Sequence, residues 1–211
     1  MPSTPELLEL ARAAASKHAL DFSFIASSVN YSGAALVCAV VEQESAWDTH
    51  AIRYEPGFRT RYVAPLGLPP TEEIARSISW GLMQVMGQVA REHGFSGKFL
   101  SELCEPATGL DVGCTVLASK LAAAGAQFAA SRAAVSSVEA QGFSPAKNDG
   151  PVVAILLPQA LAEAAGPKRE KVGGQRIALD DNQIARALEL WNGGANPDYA
   201  AQVLARLPRY R

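Results

Sequence analysis

The sequence has little excess charge and few of the residues that hold metals. Its 211 residues carry a formal net charge of −2, so no strongly basic surface indicates a nucleic-acid partner. The three cysteines and three histidines are scattered without a CxxC or Cys/His cluster, and we expect no metal site. Hydrophobic residues make up 48% and charged residues 19%, which is ample for a core and argues against global disorder.

Long apolar runs are also missing. None reaches the length of a membrane span, so no transmembrane helix is predicted. The N-terminus carries prolines and glutamates early instead of a basic start followed by an apolar core, which is unlike a usual signal peptide. Basic residues do gather locally, and solvated faces are the expected interpretation for two groups: Arg53, Arg59 and Arg61, and Arg206, Arg209 and Arg211.

Three cysteines leave little scope for a disulfide scaffold. Cys38 lies in an apolar segment and is predicted to be a small core residue. Cys104 and Cys114 could form a disulfide, which the sequence alone does not decide.

Helical patterns dominate the rest of the chain, and we expect one mainly α domain over residues 1–211. Helices are predicted at residues 4–19, 33–45, 79–91 after a turn at Gly81, 107–124, 180–191 with Asp181 as a cap, and 197–207. Residues 48–75 lack a helical period and are predicted to be irregular, with a short β-hairpin near 52–63 as an option. Residues 125–179 have a mixed composition and predict a surface insertion or flap, whose apolar run at 152–157 fits a strand or a helix.

The segment VVEQESAW, residues 40–47, ends an apolar helix with two carboxylates. Each helical residue turns about 100°, so Glu42 and Glu44 point about 200° apart and do not share a site. Glu44 follows the buried stripe one turn after Val40, whereas Glu42 is expected to face solvent or pair with an arginine. Packed near Trp47, the Glu44 carboxyl should lose hydration, which raises its pKa and suits a general acid. The alternative is a helix-end residue bonded to the next loop.

Three further segments extend this pattern. They are SWGLMQVM at residues 79–86, PATGLDVGC at 106–114, and LWNGG at 190–194 followed by Tyr199. Together with QESAW, and in this order, they resemble the lytic transglycosylases of the lysozyme-like superfamily, the soluble lytic transglycosylase and goose-type lysozyme group. The resemblance covers residues 33–121 and 180–210 and implies a lysozyme-like helical domain.

The resemblance implies a role for each matching residue in the first two segments. Glu44 matches the single catalytic glutamate, and Ser45 matches a structural residue at the helix end. The family's GLMQ segment lines the cleft, and its counterparts here are Gly81, Leu82, Met83 and Gln84. There Gln84 is expected to contact substrate or hold the acid, and Met83 to pack on sugar rings.

The later segments match with two departures. Asn192 matches an asparagine at the cleft floor, and Tyr199 matches a late aromatic residue near the site. Trp191 stands where the family has tyrosine, so a hydroxyl contact is lost there or supplied by another residue. Gly109 replaces an asparagine, which puts a structural hydrogen bond in doubt. Together with Ser45 and the GLMQ segment, Trp191, Asn192 and Tyr199 are the expected substrate-binding residues.

Glu55 is the candidate second acid. Residues 53–58, RYEPGF, resemble the FEPH region of bacterial and phage-associated muramidases, although the histidine is absent. The alternative is that Glu55 forms an ion pair with Arg53, Arg59 or Arg61.

The resemblance implies cleavage of the β-1,4 bond between N-acetylmuramic acid and N-acetylglucosamine, without a metal or cofactor. Glu44 would act first as acid and then as base, giving 1,6-anhydro ends. One alternative is a hydrolytic muramidase in which Glu55 or Asp48 positions water. Another is a non-catalytic cell-wall-binding or virion structural protein on the same scaffold.

The expected partner is therefore the peptidoglycan glycan strand, and the chain is expected to act as a monomer. Its place of action would be the cell wall, in the periplasm or outside the cell. Without a usual signal peptide, we expect non-standard delivery, such as that of a phage lysin or a secretion-system enzyme.

Overall fold

The computed structural model describes residues 4–140 and 179–211, with side chains described for residues 5–128 and 179–211. This part of the chain is mainly helical, as predicted, with small antiparallel sheets. The α-helices in these ranges are α1 (Thr4–Lys17), α2 (Gly33–Ser45), α3 (Pro56–Phe58), α4 (Pro70–Arg76), α5 (Gly87–Glu92), α6 (Pro106–Ala140), α7 (Asp181–Asn192) and α8 (Tyr199–Leu204). The predicted apolar run at 152–157 lies outside the described residues.

Helix α2 forms the centre of the core and has the predicted bounds. The Ser32 hydroxyl caps it by accepting a hydrogen bond from the Ala35 N–H at 3.1 Å. Its residues from Ala35 to Val41 are all buried, and fully burying one such valine or leucine contributes about 1.5–3 kcal/mol. The helix packs against α1, α8 and a final 3-10 turn (Leu207–Tyr210), so three separate parts of the chain meet around it.

Two small sheets occur in the described ranges. Strands β1 (Ser23–Ala26) and β2 (Val29–Ser32) form a hairpin that the sequence did not predict. The second sheet has the order β3 (Ile52–Tyr54), β4 (Ile78–Trp80) and β5 (Val85–Met86). The predicted hairpin near 52–63 is therefore placed differently, because β3 pairs with the distant β4. The residues after β3 form α3, a π-helical turn (Arg59–Val63), a 3-10 turn (Ala64–Leu66) and α4.

The segment at 79–91 also differs from its prediction. Only Gly87–Glu92 is helical, and the part before it is strand, turn and strand. The turn contains Gly81 at φ 66° and Gln84 at φ 46°, in the left-handed region that a right-handed helix excludes. The Gly81 N–H donates to the Ala51 carbonyl at 2.8 Å, which fixes the turn against the chain that follows α2.

Helix α6 continues beyond its predicted end at residue 124 to Ala140, and the insertion or flap expected at 125–179 stays a prediction. Two glycines allow the close approach of neighbouring chain to this helix. A Cβ on Gly109 would lie 2.3 Å from the Leu103 carbonyl oxygen, and one on Gly113 would lie 2.2 Å from Met83 Sδ. The asparagine expected at position 109 is therefore excluded by backbone contact.

Helix α7 begins at Asp181, the residue that was predicted to cap it. Asp180, and not Asp181, caps it by accepting from the Gln183 N–H at 2.8 Å, while the Gln183 side chain accepts from the Asp180 N–H. Gly193 ends the helix at φ 66°, as the Gly-Gly pair predicted.

The remaining structural expectations concern thiols and membranes. Cys38 and Cys114 are buried, Cys104 is partly exposed, and all three are free, so the Cys104–Cys114 disulfide is not formed. Among the helices described, none combines the length and the apolar character needed to cross a membrane.

Candidate active site

Glu44 lies in the last turn of α2, where the chain reverses direction. Ala46 and Trp47 both have positive φ, 50° and 68°, which is uncommon for residues with side chains. The Ser45 hydroxyl donates to the Leu82 carbonyl at 2.9 Å and also lies 3.2 Å from the Val41 carbonyl. Ser45 therefore joins the end of α2 to the β4–β5 turn, as expected of a structural residue at this position.

The Glu44 carboxyl receives two hydrogen bonds on the same oxygen. The indole N–H of Trp191, at the end of α7, donates to Oε1 at 2.8 Å. The hydroxyl of Tyr199, at the start of α8, donates to Oε1 at 2.5 Å. Neither donor bonds Oε2, so the two carboxyl oxygens have different environments.

Burial raises the pKa of Glu44, and it outweighs the opposing effects of its partners. The hydrogen bonds from Tyr199 and Trp191 and the charge of Arg53 lower this pKa in part. Burial beside Glu44 also raises the pKa of Tyr199, which keeps its hydroxyl protonated and able to donate. The aromatic groups bonded to the acid are thus Trp191 and Tyr199, whereas the indole of Trp47 donates to Tyr210.

The Transglycosylase SLT domain family model matches residues 22–142, which is more than half of the chain. The chain belongs to this family. Its activity is therefore of the peptidoglycan lytic transglycosylase kind, on a lysozyme-like helical domain. Comparisons with curated proteins and with solved structures found no match.

The matched region of this SLT domain contains Glu44 but neither of its hydrogen-bond donors. Trp191 and Tyr199 lie beyond residue 142, and the fold brings them to the acid by packing α7 and α8 together and α8 on α2. In this chain the Glu44 carboxyl therefore receives an indole N–H from Trp191 and a hydroxyl from Tyr199.

The GLMQ segment supports the site of this SLT domain from within the core. Leu82 and Met83 are each 1% exposed, so the prediction that Met83 packs on sugar rings is wrong. Gly81 lets the turn approach the Leu103 carbonyl, where a Cβ would lie at 2.3 Å. These residues set the position of the Leu82 carbonyl that holds Ser45.

The Gln84 amide is committed to the same turn. Its Nε2 donates to the carbonyls of Ala51 and Gly81 at 2.8 and 3.0 Å, and its Oε1 accepts from the Ser79 hydroxyl at 2.8 Å. In the described residues this amide bonds the turn and not the Glu44 carboxyl, so the expected role of holding the acid is not observed.

Asn192 has a structural bond in the loop between α7 and α8. Its Nδ2 donates to the Asn196 carbonyl at 3.1 Å, and the Asn196 amide in turn donates to Gln202 Oε1 at 3.1 Å. Gln43, the neighbour of Glu44, also donates to Gln202 Oε1, at 3.0 Å. This amide network ties the loop that carries Tyr199 to the end of α2.

The candidate second acid, Glu55, forms an ion pair with Arg53, with 2.5 Å between Oε1 and Nε. The ion-pair alternative is thus the observed arrangement. Asp48, the other candidate for directing water, accepts a hydrogen bond from the His50 N–H at 2.9 Å. The charge of Arg53, on β3, also lowers the pKa of Glu44 in part.

Glu42 pairs with an arginine, one of the two environments expected for it, but the sequence did not identify its partners near the C-terminus. Arg209 forms an ion pair with this carboxylate and Tyr210 donates to it, so Arg209 does not belong to a purely solvated face. Arg206 also lies nearby, with 3.9 Å from its Nε to Glu42 Oε1. The cluster of basic residues near the end of the chain was the signal that could have identified this partner, because an arginine was already expected for Glu42.

Among the residues described, no group of His, Cys, Asp and Glu is arranged to hold a metal.

Proposed function

We propose that this SLT domain cleaves the β-1,4 bond between N-acetylmuramic acid and N-acetylglucosamine, with Glu44 as its only acid and base. The supporting observation is a partly buried carboxyl of raised pKa that receives two hydrogen bonds on one oxygen. A raised pKa keeps the proton on Glu44 closer to neutral pH, which is what a general acid needs.

The two donors assign the proton to one oxygen. Because Trp191 and Tyr199 both donate to Oε1, that oxygen is the carbonyl oxygen of the neutral acid and Oε2 carries the proton. In the first step the Oε2–H bond breaks and the proton passes to the glycosidic oxygen as its bond to C1 breaks. The Glu44 carboxylate that forms is stabilised by the same two donors, whose hydrogen bonds are stronger to a charged acceptor.

The second step restores the acid. The Glu44 carboxylate takes the proton of the C6 hydroxyl of the muramic acid residue, and O6 forms a bond to the oxocarbenium-like C1. The products are a 1,6-anhydro end and a free 4-hydroxyl on N-acetylglucosamine, and no water is consumed. The proposed reaction uses neither a metal nor a cofactor.

The environment of the other carboxylates favours this outcome over hydrolysis. An inverting muramidase needs a second carboxylate that directs water onto the scissile bond. The two carboxyl groups then lie about 6.5–9.5 Å apart, on opposite sides of that bond. Glu55 is bound to Arg53 and Asp48 to the His50 N–H, so both have partners within the chain. A non-catalytic wall-binding protein would have no need for a desolvated acid with two donors.

The test is a digest of purified peptidoglycan whose products are read by mass spectrometry before any chemical reduction. We expect wild-type products one water lighter than hydrolytic ones, no release by Glu44→Gln, and retained release by Glu55→Gln. Glu9→Gln, at an exposed carboxylate on α1, is the matched control. Reducing muramic acid ends that disappear in Glu55→Gln would instead establish the muramidase, and no release by the wild type would favour the binding protein.

The proposed substrate places the action of this chain at the cell wall, in the periplasm or outside the cell. A monomeric state, the lack of a nucleic-acid partner and a non-standard route of delivery stay predictions.

A further inference from the structure

A partly buried ionic cluster forms around Glu42, two residues before Glu44, and has no part in the proposed reaction. The Glu42 side chain is 16% exposed and forms an ion pair with Arg209. The hydroxyl of Tyr210 donates to Glu42 Oε2 at 2.5 Å. The Glu42 carboxylate therefore keeps little contact with water, and Arg209 and Tyr210 supply its polar contacts.

The cluster continues from Tyr210 to the turn that follows Glu44. The Trp47 indole N–H donates to the Tyr210 hydroxyl at 3.0 Å, and their ring centroids are 6.1 Å apart. The Tyr210 hydroxyl therefore accepts one hydrogen bond and donates the next, which gives an unbroken line from Trp47 to Glu42. Hydrogen bonds aligned in this way strengthen one another. We call Glu42, Trp47, Arg209 and Tyr210 the C-terminal clamp.

The clamp holds a strained part of the backbone. Trp47 is a bulky residue at φ 68°, directly after Ala46 at φ 50°. Such conformations persist only where the surrounding structure fixes them, and they occur often at active sites. Because α2 ends at Ser45, this strained turn directly follows the helical turn that carries Glu44.

A second connection runs through Arg206. Its NH1 donates to the Gln202 carbonyl at 2.6 Å, and its charge acts on Tyr199, the donor to Glu44. The Arg206 Nε is buried, has no hydrogen-bond partner among the described residues, and faces Glu42 Oε1 at 3.9 Å. Arg206 is thus a neighbour of Glu42 whose charge also acts on Tyr199.

We propose that Glu42 and Tyr210 are positioning residues, and that the C-terminal clamp holds Glu44 against Trp191 and Tyr199. Its effect on rate rests on the proposed function, but its effect on the Glu44 hydrogen bonds does not. The last residues of the chain thereby complete a site whose acid lies far earlier in the sequence.

The tryptophans provide a direct test, because the chain has only three. The indole N–H of Trp47 donates to the Tyr210 hydroxyl, that of Trp80 donates to the Ala75 carbonyl, and that of Trp191 donates to the Glu44 carboxyl. In a ¹H–¹⁵N spectrum of Tyr210→Phe, we expect the Trp47 and Trp191 resonances to move and that of Trp80 to stay. On a defined glycan substrate we expect kcat to fall about tenfold to a hundredfold with little change in KM, because a small misplacement of a catalytic group is costly.

Conservative variants separate positioning from general stability. Glu42→Gln keeps an acceptor for Tyr210 and should retain most of the activity and the wild-type Trp191 resonance, whereas Glu42→Leu should resemble Tyr210→Phe. Tyr31→Phe, at a buried tyrosine of the β1–β2 hairpin, is the matched control and should change neither.

The proposal is overturned if Tyr210→Phe moves the Trp47 resonance alone and leaves kcat unchanged. It is also overturned if the Trp80 resonance moves equally, because the change is then a general loss of structure. If the wild type releases no muropeptide, the proposed function fails, and the Trp191 resonance still decides whether the clamp positions Glu44.

Discussion

At the scale of the residue, the burial that suits Glu44 to catalysis should cost the fold stability near neutral pH. Its pKa in the folded chain is raised above the ordinary value of 4.5. A carboxyl with a raised folded-state pKa contributes its stability fully below the unfolded-state pKa, and this contribution is lost as the pH rises through the folded-state pKa. Glutamine does not titrate and can accept the same bonds from Trp191 and Tyr199.

We therefore expect Glu44→Gln to be more stable than the wild type near pH 7 and equally stable below about pH 4.5. Thermal unfolding temperatures measured across this range will test the prediction. Glu9→Gln, at an exposed carboxylate, should show no such divergence, because exposed ion pairs contribute little. An equal or lower unfolding temperature for Glu44→Gln at pH 7 would contradict the raised pKa.

At the scale of the element, the close packing of α6 on the GLMQ turn predicts a sensitive glycine. A Cβ on Gly113 would lie 2.2 Å from Met83 Sδ and 2.9 Å from Met83 Cβ, so one side chain has to shift within a full core. We expect Gly113→Ala to lower the free energy of unfolding by about 1–3 kcal/mol, the usual cost of overpacking. Chemical denaturation measures this difference.

Gly125 on the same helix is the matched control. A Cβ there meets nothing within 4 Å, so Gly125→Ala should stabilise the helix by about 0.5–1 kcal/mol. If both variants stabilised the protein, helix propensity and not contact with Met83 would determine the effect at position 113.

Elements defined by local signals were predictable from the sequence, and those defined by distant partners were not. The bounds of α2 were predicted because an almost wholly apolar run ends in a polar group of residues, and the Ser32 cap found in the structure agrees with that start. The residues from 79 to 86 were predicted as helix because short apolar runs fit either period, and their strand pairing depends on β3, far away in sequence. In the site, motif order pointed to Glu44, but its contact with Trp191 spans 147 positions and follows only from helix packing.

At the scale of the whole molecule, the family-matched region and the C-terminal segment make one site together. Residues 22–142 contain the acid and the turn that braces it, whereas Trp191, Tyr199 and the Glu42 partners come from the last residues of the chain. Because α2 packs against both parts, loss of either should expose the same central helix. The described residues should accordingly unfold cooperatively.

The three free thiols can report this cooperativity. Burial raises the pKa of Cys38 to about 11 and that of Cys114 to about 12, so neither forms much reactive thiolate in the folded chain. With a thiol-reactive disulfide reagent and no reductant, we expect slow reaction of Cys104 alone in the native state and reaction of all three thiols in denaturant. Cys38 and Cys114 should react together at the rate of global opening, and Cys104→Ser should leave that shared phase unchanged.

A single reactive thiol in denaturant would instead reveal a Cys104–Cys114 disulfide. Separate reaction rates for the two buried thiols would mean that α2 and α6 open independently.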